Sequence, residues 1–151
     1  MIQSLAKTWI ILLIIYPPFL AYANYSISPV KLTITPEQKI TSLSFQNNSD
    51  QEKIFQLTLY RLIRINGKEE YKETKDFIAT PTIFKVKAGQ LQLIRVAIKN
   101  NDKLKNSEKD YRLSIKELPK PISFGGNSGL IIIPDFRIPI AVKVREEKIT
   151  K

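Results

Sequence analysis

Apolar and polar residues alternate along most of this chain, and the longest such stretch lies near its end. In Leu130–Val144 (LIIIPDFRIPIAVKV) four apolar residues run together, Leu130, Ile131, Ile132 and Ile133. Ile138, Ile140 and Val142 then alternate with Pro139, Ala141 and Lys143. A period of two marks a strand with one buried face. Fifteen residues would extend about 50 Å at roughly 3.3 Å each. Pro134 and Pro139 lack the N–H that a ladder uses, so the strand is expected at a sheet edge or carrying bulges. A long apolar edge is an aggregation hazard, and keeping one suggests that another chain pairs with it. The plainer alternative is a last strand partly covered by its own domain.

The same pattern recurs upstream. Tyr25–Thr35 alternates loosely around Pro29 and reads as an edge strand. In Ile40–Phe45, Leu43 and Phe45 are expected to face inward, and Asn47–Asp50 is a turn. Over Lys53–Ile65, Phe55, Leu57 and Leu59 alternate with Gln56, Thr58 and Tyr60, as in a half-buried strand. Asn66-Gly67 signals a tight hairpin, and the charged Lys68–Asp76 is expected to be solvated. Phe77–Val86 is apolar with Thr80-Pro81 in its middle. Ala88-Gly89 turns the chain, and Leu91, Leu93 or Ile94, Val96 and Ile98 follow. Asn100–Lys109 reads as a polar loop, Tyr111, Leu113 and Ile115 as one side of a strand, and Pro119–Gly129 as a mobile loop. About seven strands separated by turn signals, without a convincing helix, predict one all-β domain, a β-sandwich.

The first residues follow a different pattern. Met1–Lys7 carries one positive charge and no acid, the apolar run Trp9–Tyr16 precedes Pro17-Pro18, and Ala21-Tyr22-Ala23 follows. This is the layout of a secretory signal over residues 1–23, cleaved after Ala23. The run is well short of the ~20 residues that span a bilayer, so no stable membrane anchor is expected. The mature domain would cover 24–145, with a charged tail over 146–151.

The chain has 24 Lys+Arg against 14 Asp+Glu, a net charge of +10, and neither Cys nor His. The excess charge favours anionic partners. Nucleic acid is set aside because of the export signal, and because the aromatic residues fall at expected core positions rather than among Lys and Arg. Without Cys there is no disulfide or thiol chemistry. Without His the commonest general base and metal ligand are missing. No nucleophile elbow, phosphate loop or zinc motif is present. Gly125–Gly129 lacks the Lys-Ser/Thr of a phosphate loop and precedes a strand. An enzyme, a metal and a cofactor are therefore not expected. Among the cations, Lys31 lies between Val30 and Leu32, Arg95 follows Ile94, Arg112 follows Tyr111, and Arg137 sits inside the long strand. Most such residues lie in solvent with their stems covering apolar surface. One at a sandwich rim could hold a terminal carboxylate.

Several of these segments, in order, resemble periplasmic pilus-assembly chaperones of the PapD-like family. Ile27-Ser28-Pro29-Val30-Lys31-Leu32 is similar to their first strand. Phe77–Phe84, then Ala88-Gly89, then Ile94-Arg95-Val96, resembles their A(S/T)PP…PG…VR block. Tyr111-Arg112-Leu113 with Glu117-Leu118-Pro119 resembles the YRL…EIP of the sixth strand, and Ile138–Val142 the close of the seventh. The likeness is nearest to the archaic, spore-coat-U-type branch and spans Ser26–Val144. It implies an immunoglobulin-like, seven-stranded sandwich that lends its last strand to an incomplete pilus or fimbrial subunit. Donor side chains would be Leu130, Ile132 and Pro134, with the opposite parity, Ile131 and Ile133, almost as apolar. Lys31 corresponds to the family's basic anchor for the subunit's C-terminal carboxylate. The second anchor falls near Pro139 and is missing, leaving Arg112 or Arg137 to replace it. Thr80-Pro81 matches a position often found as a cis peptide.

The resemblance also implies a periplasmic location and an outer-membrane usher as a further partner. Family members carry a second β-domain, for which the sequence has no room after the seventh strand. A one-domain relative, a truncated gene and a fragment are all compatible with that. The alternative function is a secreted basic immunoglobulin-like binding or adhesion domain without chaperone activity.

Overall fold

Phe55, Leu57 and Leu59 set the frame: alternate residues of one strand, all buried, with Gln56, Thr58 and Tyr60 on its other face. The computed structural model describes residues 23–99, 110–119 and 132–143. Within them lie ten strands: β1 (Tyr25–Ser28), β2 (Leu32–Ile34), β3 (Ile40–Asn47), β4 (Lys53–Ile65), β5 (Lys68–Glu73), β6 (Phe77–Thr80), β7 (Ile83–Val86), β8 (Leu91–Ile98), β9 (Tyr111–Leu118) and β10 (Asp135–Val142). One sheet has the order β1-β3-β8-β6. The other has the order β2-β10-β9-β4-β5, with β7 also on β4. The two sheets enclose a single apolar core, and the fold is the all-β, immunoglobulin-like sandwich expected.

The step from seven strands to ten has a local cause. The expected first and fourth strands are each divided at a proline, Pro29 and Pro81, and the chain crosses from one sheet to the other there. A residue without an N–H ends a ladder readily. Both bonds, Ser28–Pro29 and Thr80–Pro81, are cis. The remaining strand is β5. Lys68–Glu73 is exposed throughout, as its charge predicts, yet it pairs antiparallel with Tyr60–Ile65 of β4. Asn66 (φ 50°) and Gly67 (φ 78°) make the tight turn between them, both with the positive φ of a type I′ hairpin.

The core is rich in rings. Phe45 lies 4.6 Å from Phe55, 5.6 Å from Tyr25 and 5.8 Å from Phe84, and Phe136 approaches from β10. Leu43, Phe45, Tyr111, Leu113, Ile115, Ile138 and Ile140 are buried, as their alternation predicts. On β8 the parity belongs to Ile94 and Val96, which are fully buried. Leu91 and Leu93 face outward, because Ile94 is held opposite the buried Leu43. The Asn47 turn is held from inside: the buried side-chain amide donates to the carbonyls of Gln51 and Val86, and its oxygen accepts from the Ser49 N–H.

Candidate functional site

The last strand is shorter and better paired than its sequence suggests. Regular strand covers Asp135–Val142, and Ile132–Pro134 precede it as irregular backbone. Leu130 and Ile131 lie outside the described residues, as do residues 1–22, 100–109, 120–129 and 144–151. β10 runs antiparallel to β9 from Asp135 to Ile140 and parallel to β2 from Ile140 to Val142. Its C-terminal part is therefore an inner strand, which corrects the expectation of an edge along its whole length. The first half keeps the expected character. Among the described residues, Asp135–Pro139 has a ladder partner only on its β9 flank.

Backbone parity explains how two prolines fit here. The Glu117 N–H donates to the Pro134 carbonyl at 3.0 Å, and the Lys143 N–H donates to the Ile34 carbonyl at 2.9 Å. Even-numbered residues of β10 thus turn their backbone groups toward β9, and odd-numbered ones toward the opposite flank. Pro134 accepts a bond from β9 but has no N–H to return, which marks where regular pairing begins. Pro139 turns its ring nitrogen to the other flank and removes nothing from the β9 ladder. Asp135 and Arg137 direct their N–H and C=O groups to that same flank.

Side chains divide in the same way. Phe136, Ile138, Ile140 and Val142 face the core, while Asp135, Arg137 and Pro139 lie on the outer face. Ile132 is 79% exposed and Ile133 41%. Just below them Glu117 forms a clamp. Its carboxylate accepts the Tyr25 hydroxyl at 2.9 Å and the Lys53 ammonium at 2.8 Å, while its N–H holds Pro134. Burial, followed by the hydrogen bond and the charge of Glu117, pushes the Tyr25 hydroxyl up to about 12.

Of the three cations expected at the rim, Arg112 and Arg137 lie beside Pro139, and Lys31 lies in the bend leading into β2. Arg112 is the direct partner of Pro139 on β9. Lys31, exposed in the bend before β2, precedes Leu32, the partner of Ile140. Arg137 lies two residues from Pro139 along β10. It is not idle: its Nε donates to Asp135 Oδ2 at 3.1 Å, and its guanidinium lies 4.9 Å from the centre of the Tyr71 ring. The hydrogen bond and charge of Asp135 raise its affinity for its proton further. Arg112 donates to the Tyr111 carbonyl at 3.0 Å. Lys31 makes no ion pair among the described residues.

Glu117, Asp135 and Tyr71 were not legible as parts of this site. Asp135, which also accepts the Ser114 hydroxyl, gave one signal, an acid inside an apolar run. Tyr71 lies in the stretch read as merely solvated. No group of three His, Cys, Asp or Glu side chains that could hold a metal occurs among the described residues.

Comparison with solved structures returns pilus chaperones. The CsuC–CsuE chaperone–tip adhesion subunit pre-assembly complex from the archaic chaperone-usher Csu pili of Acinetobacter baumannii superposes with a TM-score of 0.65 at 24% identity, covering 82% of this chain and 58% of that one. The Salmonella enterica SafA pilin in complex with the SafB chaperone gives 0.62 at 14% identity, covering 83% and 57%. The E. coli chaperone DraB gives 0.60 at 16% identity, covering 80% and 55%. This chain thus spans a little over half the length of these neighbours, and at such identities the likeness establishes the fold. No curated protein sequence matches the chain. The family model for the pili and flagellar-assembly chaperone, PapD N-terminal domain, matches residues 24–143. Because that match takes in all ten strands, the chain belongs to the pili and flagellar-assembly chaperones, as their PapD N-terminal domain.

Proposed function

We propose that this chain is an exported, periplasmic chaperone of pilus subunits that lends the segment Leu130–Pro134 and the adjoining flank of β10 to a subunit lacking its last strand. The observation that carries the reading is the β10 flank: among the described residues Asp135–Pro139 is paired on one side only, directly after the exposed Ile132 and Ile133. Unpaired backbone groups beside free apolar side chains are what strand addition requires. The neighbours in complex with a pilin or a tip adhesion subunit lend support.

Extending the alternation of β10 backward, Leu130, Ile132 and Pro134 share the parity of Phe136 and Ile138. These are the side chains assigned to the subunit's groove, and Ile131 and Ile133 lie on the opposite parity. Lys31 is the first anchor for the subunit's C-terminal carboxylate, because its charge is not matched by an acid among the described residues. Arg112, the β9 partner of Pro139, is the second. Arg137, already paired with Asp135, contributes less. An outer-membrane usher is the further partner of this reading.

The test is co-expression with a pilin subunit lacking its own last strand. A stable one-to-one complex is expected. Leu130→Asp with Ile132→Asp should abolish it while circular dichroism of the free chain stays unchanged. Lys31→Glu should weaken it. An unaltered complex in the double variant contradicts strand donation by this parity.

A further inference from the structure

At the end of the sandwich where β4 and β5 meet the start of β6, a cavity of about 390 Å³ is lined by Arg61, Lys72, Lys75 and Lys99, with the carboxylates of Glu73 and Asp76. Its charge is not balanced from within. Arg61 and Lys72 are direct cross-strand partners in the β4–β5 hairpin. Like charges placed opposite each other destabilise a sheet. The same hairpin shows the ordinary solution one turn away, where Arg64 faces Glu69 and binds it at 2.7 Å. Among the described residues neither Arg61, Lys72 nor Lys75 makes an ion pair.

Of the two carboxylates, Asp76 also reaches into the core. It is buried and accepts the Tyr111 hydroxyl at 3.0 Å. The walls are held by backbone bonds: the Thr74 N–H donates to the Leu59 carbonyl at 2.9 Å and the Lys99 N–H to the Asp76 carbonyl at 2.8 Å. Four cations are thus presented around a cavity against two carboxylates, Glu73 and the Tyr111-bound Asp76. Arg61 is half-buried, and its planar fork suits two charged oxygens at once, with the lysines adding point charges.

We propose that this cavity is an oxyanion site, taking a phosphate group or a carboxylate between Arg61 and the ammonium groups of Lys72, Lys75 and Lys99. The inference does not depend on strand donation, and its test involves no subunit. The chain is titrated with inorganic phosphate, and separately with acetate, at constant ionic strength kept by chloride, while backbone amide shifts are followed.

Saturable shifts at Lys72, Lys75 and Lys99 are expected. Saturation by phosphate alone assigns the phosphate group, and saturation by acetate assigns the carboxylate. Lys72→Gln with Lys99→Gln should weaken binding roughly tenfold or more, since hydrogen bonds to charged groups are lost. Lys85→Gln, on β7 at the other end of β4, should leave it unchanged. All three lysines of the cavity are exposed, so the variants keep the fold, and Lys75→Gln alone gives a second, milder reading. Shifts that never saturate, or that are as large in the double variant as in Lys85→Gln, overturn the proposal.

Discussion

Glu117→Gln tests how the base of the proposed donor segment is held. The Glu117 side chain is 12% exposed and that of Lys53 28%, so their ion pair is partly shielded from water, unlike an open surface pair. Replacing the carboxylate by an amide keeps the shape and an acceptor for the Tyr25 hydroxyl but removes the charge that Lys53 meets. A hydrogen bond to a charged group contributes about 1.5–3 kcal/mol and a neutral one about 1 kcal/mol. The expected loss is therefore about 0.5–2 kcal/mol for Glu117→Gln. For Glu117→Ala, which strands both partners, it is about 2–4 kcal/mol.

Urea unfolding of these variants, with Tyr25→Phe completing a double-mutant cycle, should give a coupling between residues 25 and 117. The ultraviolet titration of Tyr25 supplies an independent reading. Its hydroxyl should fall from about 12 but stay above the ordinary 10, because burial, the largest cause, persists when the charge is gone. Wild-type stability in Glu117→Gln together with an unmoved Tyr25 titration would refute the clamp.

Other outcomes follow from the same geometry. Phe45→Ala removes the fully buried ring at the centre of the aromatic cluster and should cost about 3–5 kcal/mol in chemical denaturation. Tyr25 and Tyr111, the latter buried and bonded to Asp76, both hold their protons more firmly folded than unfolded. The contribution of Tyr25 is whole below about pH 10 and is lost as the pH rises through about 12, and that of Tyr111 is lost at still higher pH, so a stability–pH curve should fall on that alkaline limb, and less steeply in Tyr25→Phe. Gly67→Ala meets no atom within 4 Å, so its effect comes from φ +78° alone; a loss of about 1 kcal/mol is expected, with faster exchange of the β5 amides.

What was legible in the sequence is whatever a period of two expresses. Phe55, Leu57 and Leu59, or Tyr111, Leu113 and Ile115, announce an inward face because that face is apolar and the other is not. β5 could not be read so: KEEYKE has no apolar face, and it is a strand because the Asn66-Gly67 turn returns it alongside β4. Leu91 and Leu93 misled for the opposite reason, being apolar on the outer face of a strand whose parity is fixed by Ile94 and Val96. The clamp was invisible because Glu117 meets partners 64 and 92 residues away. The pairing of β10 with β2 is likewise long-range: no local pattern tells a chain that its first segment will cover the end of its last. The stretch Leu130–Val144 therefore read as one long strand at an edge or carrying bulges, whereas the fold encloses Ile140–Val142 and, among the described residues, leaves Asp135–Pro139 one-sided.

The central claim rests on the flank to which Asp135 and Arg137 direct their N–H groups, and hydrogen exchange at those two amides addresses it most directly. In the free chain they should exchange quickly while those of Ile138 and Ile140, which face β9, are slow. In the complex with a pilin subunit lacking its last strand, all four should be slow. If Asp135 and Arg137 are already protected in the free chain, or stay unprotected in a complex that has formed, the subunit does not pair with this strand and the account fails.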